Sequence, residues 1–369
     1  MTLLLLFAAG LVLLLLGAEL LVRGASRLAL ALGLTPLVVG LTVVSIGTSA
    51  PELAISVDSA LRGSPDLALG NVVGSNIANV LLILGICALA APLVVNRQLV
   101  WLDVPLMIVV SFAVFAMALD GRIARWEGAL LAVGAAAYIA FLVRLSRRHP
   151  EQAPSDPALE AAAEAPSKAH PFLPQVGLIV VGLAMLVGGA RLLVEAATDL
   201  ALTLGLSELV VGLTVVAVGT SLPEIATSIL SVLRGQRDLA VGNVVGSNIF
   251  NLLLVLGATA VIAPSGVPVA PSALAFDLPV MTAVAVACLP IFFTGHSIAR
   301  WEGAVFLGYY IAYTAWLLLA AAEHDALDGF GLAMRTVVLP LTALTLLVFV
   351  WRQLRPRWLA RTGGTPPAP

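Results

Sequence analysis

Carboxylate and hydroxyl side chains recur at helical spacing inside a stretch that is otherwise typical of a membrane helix. Thr48, Glu52 and Ser56 stand at positions i, i+4 and i+8, so a helix would present all three on one face. Ser45 and Ser49 lie beside that face. Carboxylate and hydroxyl oxygens suit hard cations such as Ca²⁺, Na⁺ and Mg²⁺. Since a charged side chain at the bilayer centre costs at least about 2.5 kcal/mol, the pattern indicates a cation site.

Pro51 adds backbone oxygens to this set. Proline has no N–H to donate to the carbonyl of Gly47, and its ring displaces that carbonyl from the helix. A backbone oxygen exposed in a bilayer must find another partner, and a cation is a suitable one. We therefore predict a kink next to Glu52 whose carbonyl oxygens join the carboxylate around a bound ion.

The same stretch occurs twice in the chain. "GTSAPE" at 47–52 returns as "GTSLPE" at 219–224, and residues 37–85 align with 209–257 with 35 identities in 49 positions. The second copy offers the same kinds of oxygen, from the backbone of Ala217 and the side chains of Thr220, Ser221, Glu224 and Ser228, beside Pro223. Because the two glutamates occupy the same position in the two copies, we predict one site, with half of it from each copy.

Each copy continues into a helix rich in amides, with two asparagines and a serine on one face and a further asparagine beside it. These residues are Asn71, Ser75, Asn79 and Asn76 in the first copy, and Asn243, Ser247, Asn251 and Asn248 in the second. Glycines at 70, 74, 242 and 246 would let these helices approach the glutamate kinks closely.

Each kind of ligand also has a structural alternative. A glutamate near a helix end can reach the membrane interface, and a hydroxyl can bond the carbonyl four residues before it. For the amides the alternative is hydrogen bonding between helices, most of all for the four asparagines other than Asn79 and Asn251. The same set of carboxylate, hydroxyl and amide residues recurs beside a proline in both copies. This recurrence favours cation binding over the structural alternatives.

The composition places these helices in a membrane. Of the 369 residues, 60% are hydrophobic and 11% are charged, whereas a soluble domain carries about 25% charged residues. A net charge of −2 gives no reason to expect a nucleic-acid partner. Runs of about 20 apolar residues predict eleven membrane-spanning helices. They lie near 3–22, 37–61, 67–90, 101–119, 124–144, 174–194, 209–233, 239–262, 274–294, 300–320 and 333–351.

The two copies are expected to face opposite ways. Each half holds five helices, and because five is odd, the second half enters the membrane from the other side. We predict an all-α, polytopic membrane protein with two inverted-topology five-helix repeats and one extra C-terminal transmembrane helix. Its parts are a first repeat at 1–148, a cytoplasmic linker at 149–172, a second repeat at 173–322, and the extra helix with a basic cytoplasmic tail at 323–369.

Basic residues set the expected orientation. With the N-terminus outside, 14 Lys and Arg residues fall on one side of the membrane and 5 on the other. The richer side is expected to be cytoplasmic. We therefore expect a multi-pass protein of the cell (inner) membrane, with its N-terminus outside and its C-terminus in the cytoplasm.

At these residues the sequence resembles the cation/calcium exchanger superfamily, and in particular prokaryotic sodium/calcium exchangers. "GTSAPELAISVDSALRG" with "DLALGNVVGSNIANVLLILG", and "GTSLPEIATSILSVLRG" with "DLAVGNVVGSNIFNLLLVLG", look like the two alpha repeats of that family. The resemblance implies an alternating-access antiporter whose central carboxylates are Glu52 and Glu224. It also implies hydroxyl ligands at Thr48, Ser49, Ser75, Thr220, Ser221 and Ser247, backbone carbonyl ligands at Ser45 and Ala217, and amides at Asn79 and Asn251.

One position departs from the family pattern. Some relatives carry Asp where this chain has Asn251, so the site here keeps two carboxylates. The departure argues against potassium dependence, and it leaves the counter-ion open between Na⁺ and H⁺. We expect Ca²⁺ export in exchange for Na⁺, with an H⁺/Ca²⁺ antiporter of the same fold as the alternative.

A membrane enzyme is the alternative of another class. The chain contains no H-E-x-x-H and no G-x-S-x-G sequence, and the repeated "GTS" and "GSN" have no role in aspartyl protease chemistry. We therefore expect no enzyme activity, no cofactor and no obligatory protein partner. The expected partners are the transported inorganic cations and the lipid bilayer.

Overall fold

The computed structural model describes residues 2–32, 34–62, 65–148, 172–203, 217–322, 324 and 326–344. Three expected segments lie wholly or largely outside this part of the chain. They are the linker at 149–172 apart from its last residue, the first eight residues of the second motif at 209–257, and the C-terminal tail beyond 344.

Five helices make the first repeat, and α-helical geometry is interrupted in three of them. α1 is Thr2–Leu32, α2a joins Pro36–Val39, the π-helical Gly40–Val44 and Ser45–Thr48, and α2b is Ala50–Leu61. α3 joins Pro65–Ala78, the π-helical Asn79–Leu84 and Gly85–Ala90. α4 joins the π-helical Leu99–Asp103, Val104–Met117 and the 3₁₀ turn Ala118–Asp120, and α5 is Arg125–Arg148.

The second repeat follows the same plan. α6 is Phe172–Thr203, α7a is Ala217–Thr220, and α7b is Leu222–Leu233. α8 joins Arg237–Phe250, the π-helical Asn251–Leu256 and Gly257–Ile262. α9 joins the π-helical Ala273–Asp277 and Leu278–Phe293, α10 is Arg300–Ala321, and α11 joins Ala326–Ala333 and the π-helical Met334–Val338 and continues to 344.

The length and composition of the helices confirm a polytopic membrane protein. Eight helices in the described ranges are long and apolar enough to cross a bilayer, and α2 makes a ninth if its two halves count as one span. The description covers only parts of the spans expected at 209–233 and 333–351, so the total of eleven stays a prediction. The fold is all-α apart from four two-residue strands in the described part.

The pairing of those strands shows that the two repeats have opposite orientations. β1, Leu93–Val94, follows α3 and pairs antiparallel with β4, Ser297–Ile298, which follows α9. β2, Arg122–Ile123, follows α4 and pairs with β3, Val267–Pro268, which follows α8. The end of α3 therefore lies on the same side as the end of α9 and opposite to the end of α8, its own counterpart. This pairing confirms the inverted topology.

α1 and α6 pack against each other through glycines. A Cβ atom on Gly10 would lie 2.9 Å from the backbone oxygen of Gly189, and one on Gly17 would lie 2.8 Å from that of Gly182. The reverse contacts are as short, since a Cβ atom on Gly189 would lie 2.7 Å from the oxygen of Gly10. The two backbones can meet this closely only because no side chain intervenes. α1 and α6 thus form a tightly packed pair.

α3 and α8 lie at the centre of the bundle. Their apolar windows are 83% and 78% buried, whereas no other candidate span in the described ranges exceeds 39%. Gly242 of α8 meets Leu37, and Gly246 meets Leu41 and Ser45, so α8 packs directly on α2a as its glycine spacing predicts. The repeat counterparts of Leu37 and Leu41 are Leu209 and Leu213, which lie outside the described residues. The two amide-rich helices are therefore placed against the glutamate-bearing ones.

Candidate cation site

Each glutamate follows a break in its helix. α2a and α2b meet at 40°, with Ser49 between them, and Ser221 occupies the same place between α7a and α7b. Proline stands in the first turn after each break, which confirms the kink expected at Pro51. Glu52 and Glu224 then lie in the first turns of α2b and α7b, where the positive end of the helix dipole faces them.

The two carboxylates face a common buried space. Glu52 and Glu224 are each only 1% exposed, and they are close enough to repel each other electrostatically. Thr48 and Ser49 of α2 lie beside the carboxylate of Glu224, in the other repeat. Two like charges in a buried space are unfavourable unless a cation joins them. Each repeat therefore contributes one glutamate to this buried region.

Several buried oxygen atoms on the site-bearing helices have no hydrogen-bond partner among the described residues. In the described part of the protein, neither oxygen of Glu52 nor of Glu224 accepts a hydrogen bond, and the hydroxyls of Ser49 and Ser247 are also unpaired. The same holds for the amide oxygens of Asn79 and Asn251 and for the Asn251 Nδ2. An unpaired buried polar group costs about 1–3 kcal/mol, more when it is charged. A hard cation would satisfy these acceptors together.

Hydrogen bonds between the repeats assemble the remaining predicted ligands. The Ser221 hydroxyl donates to that of Ser75 at 3.4 Å. The Thr48 hydroxyl donates to Oδ1 of Asn243 at 3.3 Å, and the Ser45 hydroxyl donates to the Asn243 backbone oxygen at 2.9 Å. All of these side chains are buried, and Thr220 is half-buried at the end of α7a. The predicted hydroxyl set thus lies at the contact between α2, α3, α7 and α8.

The two predicted carbonyl ligands differ. The backbone oxygen of Ser45 accepts the amide of Ser49 at 3.0 Å and the Thr48 hydroxyl at 3.4 Å. The amide of Ser221 instead bonds the oxygen of Val218 at 3.1 Å, which leaves the Ala217 oxygen out of that bond. A cation at Ser45 would compete with these two hydrogen bonds, whereas one at Ala217 would not compete with the Ser221 amide.

Four of the polar residues bond one another instead of facing the site. Asn71 donates its Nδ2 to the Ser56 hydroxyl at 2.9 Å and to the backbone oxygen of Glu52 at 3.1 Å. Asn243 donates its Nδ2 to the Ser228 hydroxyl at 3.0 Å. These pairs tie α3 to α2b and α8 to α7b, which is the alternative role that the sequence left open for the asparagines. They hold the glutamate-bearing turns in place.

The π-helical turns at the site were not predicted. Asn79 begins the π-helical stretch of α3, and Asn251 begins that of α8. Such turns widen the helix by one residue, recur at functional sites and shift the face that follows. No residue type predicts a π-helical turn. Spacing arguments based on 3.6 residues per turn therefore assign residues to the wrong helix face beyond these two asparagines.

Two aspartates, the buried Asp103 and the half-buried Asp277, were also missed. Asp103 accepts hydrogen bonds from the Tyr138 hydroxyl at 2.8 Å and from Gln98 at 3.1 Å, and Asp277 accepts one from the Tyr313 hydroxyl at 2.9 Å. They tie α4 to α5 and α9 to α10. The repeated spacing D-x-P-x-M, at 103–107 and at 277–281, is the sequence signal that could have found them.

The donor set suits a hard divalent or monovalent cation. Its members are two carboxylates, hydroxyls, amide oxygens and backbone carbonyls, which are the ligands of Ca²⁺ and Na⁺. Among the described residues there is no group of three or more His, Cys, Asp or Glu that could hold a metal ion. Cys87 and Cys288 are buried free thiols. The arrangement therefore differs from a site for a soft metal.

Comparisons with known proteins bear on the family of this chain. The family model for sodium/calcium exchanger protein matches residues 2–144 and 174–319. The putative antiporter CaxA of Alkalimonas amylolytica is 40% identical over 270 residues, which are 72% of this chain and 83% of that protein. The sodium/calcium exchanger MaX1 of Methanosarcina acetivorans is 33% identical over 296 residues, covering 72% of this chain and 84% of that protein.

A solved structure shows the same fold. The sodium-calcium exchanger NCX_Mj superposes with a TM-score of 0.72 at 27% sequence identity, covering 85% of this chain and 98% of that one. The matched family segments together span both repeats and stop on either side of the linker. The chain therefore belongs to the sodium/calcium exchanger family and is a membrane cation antiporter, not an enzyme.

Proposed function

We propose that the protein exports Ca²⁺ in exchange for Na⁺ through the site built on Glu52 and Glu224. The observation that carries this proposal is the set of buried oxygen atoms without partners around these two carboxylates. A hard cation can satisfy several such acceptors at once, and both Ca²⁺ and Na⁺ accept this ligand chemistry. The names of MaX1 and NCX_Mj support Na⁺ as the counter-ion.

The ligands divide between the two loads. Ca²⁺ binds between Glu52 and Glu224, with Thr48, Thr220 and the backbone oxygens of Ser45 and Ala217 as further ligands. Na⁺ uses the same carboxylates. Its further ligands are the hydroxyls of Ser49, Ser75, Ser221 and Ser247. The amide oxygens of Asn79 and Asn251 face the space that Ca²⁺ and Na⁺ share. Because the carboxylates are shared, the site cannot hold both loads, and this competition couples the two flows.

Charge balance makes the exchange electrogenic. Two glutamates neutralise one Ca²⁺, and no third carboxylate is present because position 251 is Asn. A load of more than two Na⁺ would leave net positive charge on the loaded site. The transmembrane potential then drives one direction of transport, at about 2.3 kcal/mol per charge per 100 mV.

The resemblance implies alternating access, and the glycine contact of α1 with α6 supports a movement that could produce it. The pair packs against the site-bearing helices, and its backbone contact through Gly10, Gly17, Gly182 and Gly189 favours movement as one unit. Sliding of this unit would expose the site to one side of the membrane at a time. The excess of basic residues supports an inner-membrane location with the Arg234 end of the bundle in the cytoplasm.

Ion flux in proteoliposomes tests the proposal. Vesicles loaded with Na⁺ and diluted into Na⁺-free buffer containing ⁴⁵Ca²⁺ should accumulate Ca²⁺, and an inside-negative potential set by valinomycin should change the rate. A proton gradient without Na⁺ should give no uptake. Uptake that follows the pH gradient and ignores Na⁺ would establish the H⁺/Ca²⁺ alternative, and a potential-independent rate would contradict electrogenic exchange.

A further inference from the structure

Asn248 stands in a hydrogen-bond chain that ends at the cation site. Its Nδ2 donates to the backbone oxygen of Asn76 at 3.3 Å and to the Sδ of Met107 at 3.6 Å. Its Oδ1 accepts from Nδ2 of Asn79 at 3.0 Å. A backbone carbonyl and a thioether can only accept, so together they determine which end of the Asn248 amide faces them. The Oδ1 of Asn248 is therefore directed at Asn79.

This arrangement also determines the orientation of Asn79. Because the Oδ1 of Asn248 can only accept, Asn79 must turn its Nδ2 toward α8. The Oδ1 of Asn79 is left buried and has no hydrogen-bond partner in the described part of the chain. If the amide were reversed, its two N–H groups would face the cation and repel it.

We propose that Asn248 is a positioning residue, which holds Asn79 so that the amide oxygen and not the nitrogen faces the transported cation. The inference rests on the proposed function and extends it to a residue that does not touch the ion. Partners that orient a metal ligand in this way typically account for about 10–100-fold in metal affinity.

The other repeat supplies a matched control. Asn76 donates its Nδ2 to the backbone oxygen of Asn248 at 3.3 Å and to Sδ of Met281 at 3.8 Å, so it makes the same tie between helices. In the described residues, however, neither the Oδ1 of Asn76 nor the Nδ2 of Asn251 has a hydrogen-bond partner. Asn76 thus ties α3 to α8 without holding a site amide.

Ca²⁺ binding to the purified full-length protein, measured calorimetrically in Na⁺-free detergent buffer, compares the two positions. Asn248→Leu should weaken Ca²⁺ binding about tenfold or more, whereas Asn76→Leu should change it less than about threefold. Both variants lose the same kind of contact between helices. Equal losses of affinity would reduce Asn248 to a packing role and overturn the proposal.

A double-mutant cycle isolates the orienting effect. Asn79→Asp places an oxygen at both ends of the side chain, so its orientation no longer matters for the cation. Asn248→Leu should therefore cost little further affinity in the Asn79→Asp background. Additive losses would mean that Asn248 acts through packing, and they would contradict the proposal.

A cation-independent measurement separates this inference from the proposed function. In ¹⁵N-asparagine-labelled protein, the side-chain amide resonance of Asn79, assigned by its loss in Asn79→Asp, should shift in Asn248→Leu even without Ca²⁺. An unchanged resonance would overturn the inference even if Na⁺/Ca²⁺ exchange is demonstrated. A shifted resonance in Asn248→Leu, together with a wild-type protein that exchanges no Ca²⁺ for Na⁺, would overturn the proposed function instead.

Discussion

Glu19 of α1 forms an ion pair with Arg234 at the end of α7b, and it also pairs with Arg23 one turn along its own helix. The repeat places Arg191 at the position of Glu19 and Arg62 at the position of Arg234. Two arginines cannot form the equivalent pair. This ion pair therefore ties α1 to α7b at one end of the bundle, and in the described residues Arg62 and Arg191 form no such pair with each other at the other end.

Glu19→Gln should shift the protein toward the state that is open at the Arg234 end. A partly exposed pair contributes up to about 1 kcal/mol, which corresponds to about a two- to fivefold change in the ratio of the two states. The apparent KM for Ca²⁺ should fall on the Arg234 side and rise on the other side. Sided flux in oriented vesicles measures both values. Glu195→Gln, at an exposed glutamate of α6, is the control. A similar shift in that variant would mean that the Glu19–Arg234 ion pair has no specific effect on the two states.

Glu52→Gln and Glu224→Gln should each reduce Ca²⁺ affinity by roughly 100-fold, because a buried divalent ion would lose half of its compensating charge. The cation-free protein should become more resistant to unfolding, since one of two unpaired buried charges is gone. Calorimetry and thermal unfolding in detergent measure the two effects. Asp58→Asn removes an exposed carboxylate from the same helix as Glu52 and should leave both unchanged. Normal Ca²⁺ flux in either glutamine variant would remove that glutamate from the site.

Gly189→Ala should slow exchange or destabilise the protein, because its Cβ atom would lie 2.7 Å from both the Gly10 oxygen and the Leu14 nitrogen. Gly188→Ala, one residue earlier, would meet no described atom within 4 Å and should remain close to wild type. Both changes have the same effect on helix propensity, so a difference between them measures the contact with α1. The comparison uses initial ⁴⁵Ca²⁺ uptake and thermal unfolding. Equal behaviour would mean that the two helices have room to separate.

Tyr138→Phe should lower the free energy of unfolding by about 1–3 kcal/mol, because the fully buried Asp103 would keep Gln98 as its one remaining side-chain donor in the described chain. Tyr313→Phe should cost less, since Asp277 is only half-buried and solvent can replace the hydroxyl. Denaturant unfolding in detergent compares the two variants. A larger loss for Tyr313→Phe would show that burial of the aspartate does not determine the cost.

The repeat made the fold and the two carboxylates predictable. Glu52 and Glu224 recur in one motif, and residue type with helical spacing was enough to place them on one face each. The roles of the asparagines could not be predicted from their spacing. Asn71 and Asn243 differ from Asn79 only in the hydroxyl or amide group that lies opposite each side chain. Such partners come from the other repeat or from a neighbouring helix, and only the packed structure brings them together.

The exchange of strands between repeats has a consequence for biogenesis. β1 is made early, whereas its partner β4 is made only after nine helices of the expected topology have been synthesised. The first half of the chain is therefore made while β1 is still unpaired and while Glu52 has not yet met Glu224. Pairing of β1 with β4 therefore waits until α9 has been made, and Glu52 meets Glu224 only after α7b has been made.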